Sequence, residues 1–469
     1  MKILRYLPIV LALALTSCSD LIVPDLNNPG LDQLKDNPTR SAVLSATQGL
    51  FISARVGMAS RAGYVSGLGI VGRESYNFDG SDPRFSAELL LGPLDGGNPA
   101  FGGAHWTARY RAVRGADNVL LAVAELDDAD LAPAEKAGVR GIANTMMALQ
   151  LLLVLNTRDT NGIPTAVNVD PTGDPEPFKT KAEAFTDIIA ILESAATDLG
   201  LAGAEFPSDL GLPPGYDIAD TPAGFLAYNR ALRARVAVYV GDFATALSTY
   251  LPASFLDVAA SFDLGVYYDF GTGSGEIQNL LNDDSQVLLA HPSLQAEAQL
   301  QAGGALDQRI LDKTTVLGTP IPDQASLGIT TNLDFAHYPS PTSPLTLIRN
   351  EELILLRAEA NIGAGMGVDA LVDINLVRTL AGGLDAITGA AWTAMGGAAQ
   401  LDELLYNKRY SLLLEGGHRW IDMRRYNKLG DITLSVSTNA PPPAFVVPAL
   451  FPVPTQECDA RAGEGVPSC

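Results

Sequence analysis

"LDELLYNKRYSLLLEGGHRWIDMRRYNKLG" runs from Leu401 to Gly430, and its second half decides how the chain is read. Glu415 to Leu429 hold a His, a Trp, two acids and four basic residues. That is the composition of an active site. Placed on a helix, the same residues mean something else. His418 and Asp422 stand four apart and share a face, and Asp422 lies three before Arg425. Trp420 precedes Arg424 by four, which lets a guanidinium lie on the indole. Each polar group then has a local partner to neutralise or hydrogen-bond it. The segment reads as a braced, partly buried helix end, and function is expected elsewhere.

Outward from this point the chain is mostly helical by pattern. Asn37 to Arg55 and His105 to Leu126 carry apolar residues at helical spacing. Ala132 to Leu155 does so too, with Pro133 in a favoured first-turn position. Thr180 and Glu183 stand at capping-box spacing ahead of a helix that Gly200 should stop. Thr221 to Leu251 is two helices broken at "GDF", and Arg349 to Gly383 is another pair broken at "GAGMG". Gln400 to Glu415 and His418 to Tyr426 complete the series. "AVYVGDFATAL" (Ala237 to Leu247) and "AEANIGAGMGVDAL" (Ala358 to Leu371) look alike, with small residues where two helices must approach closely. This resembles tetratricopeptide-type packing, although no strict period of about 34 residues survives. The expectation is an all-α fold: one compact domain of tetratricopeptide-like helix pairs. Long Gly-, Pro- and aromatic-containing stretches separate the helices at 60–105, 156–180, 251–347 and 435–469. Loops of this length in a compact domain are usually functional.

The 469 residues are 47% hydrophobic and 18% charged, enough apolar content for a substantial core. The formal net charge of −22 argues against a nucleic-acid partner and against purely electrostatic binding to an anionic membrane. Neutral ligands such as sugars, or cationic ones, are compatible. "MKILRYLPIVLALALTSC" has a basic start, an apolar stretch and small residues before Cys18, the layout of a secretory signal. "LTSC" (Leu15 to Cys18) resembles a bacterial lipobox, which makes Cys18 the lipid-bearing first residue after removal of 1–17. A tether over 18–36 and a folded body over 37–469 follow. The apolar run Ile142 to Leu155 is short and contains Asn144, Thr145 and Gln150, so it reads as a core helix. Of the three Cys, the lipid takes one, and the even remainder in an oxidising compartment suggests a Cys458–Cys469 disulfide.

Motifs for chemistry are missing from the sequence. There is no G-x-S-x-G, no H-E-x-x-H and no P-loop. The four His are scattered, so no metal site and no cofactor is expected. The paired acids Asp283–Asp284 and Glu351–Glu352 are of the residue type that glycoside hydrolysis uses. Neighbours on one helix do not face one another, so Glu351 and Glu352 make a poor acid–base pair. No catalytic residue is expected. A surface glycan hydrolase on a helical scaffold stands as the alternative reading.

The stretches "RNEELILLRAEANI", "DINLVRTLAGG", "LDELLYNKRYSLLLEGGHRWIDMRRYNKLG" and "LFPVPTQE", in this order and spacing, resemble the SusD/RagB family of outer-membrane nutrient-binding lipoproteins. "NTRDTNGIP" followed by "TKAEAFTDIIAILESAATDL" fits as well, so with the lipobox the likeness covers nearly the whole chain. The chain departs from the family in its short Cys-flanked tail. The resemblance implies a helical scaffold with ligand-binding loops on top. It implies localisation at the cell outer membrane, lipid-anchored and surface-exposed. It implies a partner, a SusC-type TonB-dependent outer-membrane transporter that the protein covers as a lid. It also implies capture of an oligosaccharide, or of a peptide, without chemistry. Sugars pack apolar C–H faces on aromatic rings, so the site is expected among loop aromatics and nearby polar groups. The regions that correspond to the family's ligand loops are 72–85 and 265–276, with 335–341 behind. Arg73, Tyr76, Asp79, Tyr267, Tyr268 and Tyr338 are the candidate contacts.

Overall fold

A computed structural model describes residue 34 and residues 37–168, 173–463, 465, 466 and 469. The Cys18 lipidation site and most of the tether lie outside the described residues. Helix α1 (Arg40–Arg55) starts at Thr39, whose side-chain oxygen accepts from the Ala42 N–H. Then come α2 (Tyr64–Val71), α3 (Arg84–Leu91) and α4 (Ala108–Glu125), the last entered through a π-helical turn at Gly103–Thr107. Helix α5 (Pro133–Arg158) has Pro133 in its first turn. Its apolar middle is long enough to cross a membrane, but most of it is buried inside the protein. It packs between α4 and α6 (Lys181–Leu201) as the central core helix. Helix α6 begins with the capping box read from the sequence: Glu183 Oε2 accepts from the Thr180 N–H at 2.8 Å. A Cβ on Gly141 would meet Leu199 Cγ at 2.5 Å, so glycine sets the approach of α5 to α6.

Helix α7 (Pro222–Tyr239) ends before the "GDF" break. The second half holds α8 (Asn350–Gly363), α9 (Gly367–Leu380), α10 (Gly389–Ser411) and α11 (His418–Arg425). Helix α10 starts earlier than the sequence pattern suggests and is kinked at Gly396, whose φ is 73°. Helix α12 (Thr455–Ala460) lies in the tail, where Cys458 and Cys469 are joined. The interior is one large core running from α1 to α11, with a second cluster under α8–α10 built from Ile354, Ile374, Val377, Trp392 and Leu404.

The scaffold is helical as expected, but the long middle segment is less irregular than its composition suggests. It carries short strands β1 (Ser75–Asn77), β2 (Gly265–Tyr268), β3 (Leu288–Ala290), β4 (Thr314–Pro322), β5 (Thr330–Phe335) and β6 (Leu345–Arg349). They form an antiparallel sheet in the order β1-β3-β5-β4 and a β2–β6 pair. None is longer than nine residues, and β1 and β3 are buried throughout. Period-two alternation therefore has little length in which to show.

The Leu401–Gly430 stretch folds as a brace. Lys408 Nζ lies 2.7 Å from Glu359 Oε2 and 2.6 Å from Asp422 Oδ2. Arg425 completes the square, at 2.8 Å from Glu359 and 2.7 Å from Asp422. All four are almost wholly buried, so balanced charge is what makes the arrangement tolerable. The Arg424 guanidinium sits 4.4 Å from the Trp420 ring, as the spacing implies, and the indole N–H donates to the Pro448 carbonyl at 2.7 Å. His418 finds a different acid from the one its spacing offers. Its Nε2 lies 3.9 Å from Glu352, because Asp422 is already held by Lys408 and Arg425.

Candidate functional site

The loops before β2 and after β5 meet α8 and the end of α10 around a cleft of about 760 Å³. Phe262, Tyr267, His337 and Tyr338 line it, together with Gln308, Asp312 and Lys313. The floor is charged. Arg349, fully buried, donates to both oxygens of Glu415 at 3.0 Å, to Glu351 and to the Ser411 carbonyl at 2.7 Å. Lys313 donates to the Tyr410 carbonyl at 3.2 Å and to Glu415 at 3.4 Å. Burial alone would raise the Glu415 carboxyl, but Arg349 and Lys313 hold it down at about 2. Burial and then Lys313 push His337 below its ordinary range, so its ring is neutral and offers one donor and one acceptor. That side chain keeps 23% of its surface, so it is open to the cleft.

These carboxylates are committed to structure. Glu415 lies against Arg349 with both oxygens, and Glu351 is held between Arg349 and the Ser411 hydroxyl. Glu352 points elsewhere and forms a bidentate pair with Arg235 at 2.6 and 2.7 Å. Asp283 accepts from the Val287 and Leu288 N–H groups and pairs with Arg61 at 2.8 Å. A carboxylate held ionised by guanidinium is a poor proton donor, which general acid catalysis of glycoside cleavage requires. Among the described residues no cluster of His, Cys, Asp and Glu has the geometry of a metal site.

The six candidate contacts are not brought together. Tyr267 and Tyr338 line the cleft. Tyr267 donates its hydroxyl to the Asp263 carbonyl and leaves part of its ring exposed, and Tyr338, more deeply set, donates to the Leu414 carbonyl at 2.9 Å. Tyr268 points the opposite way along β2, into a smaller pocket beside Phe51 and Tyr216. Arg73 lies in the interior, where its guanidinium donates to the Ile70 carbonyl at 2.8 Å, the Leu90 carbonyl at 3.2 Å and the Val446 carbonyl. Tyr76 is also inside, stacked on Phe78 and bonded to Ser435 at 2.8 Å. Asp79 caps its own turn through Ser81 N–H at 2.9 Å. Loop composition does not separate these positions. An aromatic or an Arg in a loop serves equally to anchor the loop or to face a ligand. What the sequence leaves unseen are Phe262, Gln308, Asp312, Lys313 and His337, whose shared cleft depends on long-range pairing of β2 with β6.

The molecule is thus a helical scaffold that presents an aromatic-edged polar cleft, the general form of a binding protein. Residues 337–460 match the family model described as the SusD family. No curated protein matches the sequence. Among solved structures, a SusD-like carbohydrate binding protein from Bacteroides fragilis is similar at a TM-score of 0.68 and 13% identity, covering 91% of this chain and 99% of that one. A SusD superfamily protein from Bacteroides vulgatus follows at 0.65 and 13%, over 90% and 97%. A SusD/RagB family protein from Bacteroides thetaiotaomicron gives 0.64 and 18%, over 91% and 96%. The sequence match to the SusD family model lies in the C-terminal part, and the fold over nearly the whole chain is similar to that of these solved structures.

Proposed function

We propose that this protein is a lipid-anchored outer-membrane binding protein that captures oligosaccharides, or peptides, and hands them to a SusC-type TonB-dependent transporter without cleaving them. The observation that carries the binding role is the cleft itself. It is of ligand size, lined by Phe262, Tyr267 and His337, and its charged floor is already neutralised internally. A neutral polar ligand then has rings to lie on and hydroxyl-bonding partners in Gln308, Asp312 and His337. One of the similar folds is that of a protein described as carbohydrate binding. Lipid attachment at Cys18 rests on the lipobox, and handover rests on the family resemblance.

Calorimetry against neutral oligosaccharides and short peptides, with product analysis on the same samples, tests this reading. Binding without new reducing ends or new termini is expected, and Tyr267→Ala should weaken it about tenfold. Turnover, or binding indifferent to Tyr267→Ala, overturns it.

A further inference from the structure

Next to the cleft lies an ionisable group that the binding reading leaves unused. Glu74, just before β1, is buried, and neither carboxyl oxygen has a hydrogen-bond partner among the described residues. Ser75 Oγ, Arg409 Nε and Arg419 Nε are buried without partners as well. Folded proteins leave few such groups, and each asks for an explanation.

The backbone ties this carboxyl to the cleft. A Cβ on Gly69 would lie 2.8 Å from Ser75 Oγ and 3.0 Å from Leu414 Cδ1, so the start of β1 lies against the residue that precedes Glu415. The Leu414 carbonyl accepts from Tyr338, which lines the cleft, at 2.9 Å. Arg73 and Leu414, the residues before the two acids, both have left-handed backbone, with φ of 54° and 58°. Non-glycine residues held there are strained, and such strain collects at switch regions.

Charges face Glu74 from several elements. Arg409 on α10 and Arg419 on α11 both turn toward Glu297, the first through a hydrogen bond and the second at 3.9 Å. Lys313, from the short helix Gln308–Lys313, lines the cleft instead and reaches Glu415 at 3.4 Å. Its carbonyl accepts from the Ala336 N–H at 2.9 Å, so a shift of Lys313 carries the His337 loop with it. His291 donates its N–H to the Glu74 carbonyl at 2.9 Å, and burial keeps its ring neutral. Burial and the Glu415 charge keep Tyr338 protonated. Burial also outweighs Arg419, Arg409 and Lys313 at Glu74, whose carboxyl is pushed up to about 7. Of the three cations, Lys313 is the one not committed to Glu297, and its tie to Glu415 is long enough to be shared.

We propose that Glu74 is a pH-sensitive switch for the cleft: its neutral form leaves Lys313 on Glu415, and its ionised form draws the ammonium away and moves the His337 loop. This rests on the reading of the cleft as the binding site. A neutral ligand is then held more tightly in mildly acidic surroundings than in alkaline ones.

The first test needs no ligand. Burial and Lys313 push the His337 ring down to about 3, so it does not itself titrate between about pH 5.5 and 8.5. Its NMR resonances in the full-length protein should nevertheless shift with a midpoint near 7. Glu74→Gln should abolish that shift, and so should Lys313→Met, which keeps the acid and removes the relay. The second test is calorimetry with cellohexaose, maltohexaose and hexaalanine. Whichever binds should lose about fivefold in affinity from about pH 6 to about pH 8, the worth of one hydrogen bond, and should take up protons on binding at neutral pH. In Glu74→Gln the affinity should stay at its acidic value throughout. A His337 shift with no binding of any of the three would support the switch and count against the binding reading alone. No His337 shift near neutral pH, a shift that persists in Glu74→Gln, or the same pH dependence of affinity in both proteins would overturn the proposal.

Discussion

Glu74 offers the sharpest test of the electrostatic reading. Its carboxyl is 1% exposed, and neither oxygen has a hydrogen-bond partner among the described residues. The charged groups around it are Arg419, Arg409 and Lys313 on the favourable side and Glu415 on the other. Burial outweighs the three cations and pushes its pKa from an ordinary 4.5 to about 7. In the unfolded chain the proton leaves near 4.5, whereas the folded protein holds it until about 7. Between those values the folded state binds more protons, so this group's contribution to stability falls as pH rises, and above 7 the loss is complete. The interval from 4.5 to about 7, at about 1.4 kcal/mol per pH unit, comes to roughly 3 kcal/mol. Glu74→Gln keeps the shape and removes the charge. It should stabilise the protein by about 2–3 kcal/mol at pH 8 and by nearly nothing at pH 4.5. Urea unfolding followed by tryptophan fluorescence across this range measures the difference. A variant destabilised at pH 8, or a difference that does not change with pH, would mean that Glu74 is ionised and well paired with Arg419, and the argument would fail.

Gly417→Ala should cost about 2–4 kcal/mol, because φ is +77° there and the new Cβ would lie 2.3 Å from Leu68 Cβ; thermal unfolding checks it. Cys458→Ser should loosen the tail, whose Glu457 accepts from Trp106 Nε1 of the π-helical turn at 3.1 Å. Limited proteolysis should then cut near residue 460, with little change in the melting of the helical body.

How much of this is legible in the sequence depends on how local each signal is. The capping box at Thr180, the Pro133 start and the Trp420–Arg424 contact involve residues within four positions of one another, and all three are found. The "GDF" and "GAGMG" breaks are local too, and a Cβ on Gly363 would strike the Phe243 ring at 2.3 Å, so the small-residue reading of the helix pairs holds. His418 departs from its local expectation because the competing acid, Glu352, comes from a helix far away in sequence. Strands β3 and β5 escape a reading by pattern for the same reason: their partners are distant and their runs too short to alternate. The interior positions of Arg73 and Tyr76 depend on carbonyls and hydroxyls from residues 435–446, a segment whose path no local pattern fixes.

The "LLEGGHRW" motif is scaffold, yet its Glu415 also lines the cleft, and these two facts predict different outcomes for two mutations. Glu415 ties Arg349 and Lys313 to the end of α10, with His337 3.7 Å away. Glu415→Gln would leave Arg349 with only Glu351 among its buried acids, and breaking such a pair costs about 3–5 kcal/mol. Because the carboxyl is held near 2, its contribution is complete above an ordinary 4.5 and lost only as pH falls toward 2, the opposite dependence to that of Glu74. The variant should therefore lose stability at neutral pH, and ligand affinity should fall with it as Lys313 and His337 shift. Tyr267→Ala touches the cleft from β2, outside this ion-pair network, and should lower affinity while leaving the melting temperature within a few degrees. If Glu415→Gln kept full stability and lost only binding, Glu415 would be a direct ligand contact. The division between a charged scaffold that shapes the cleft and aromatic edges that hold the ligand would then have to be abandoned.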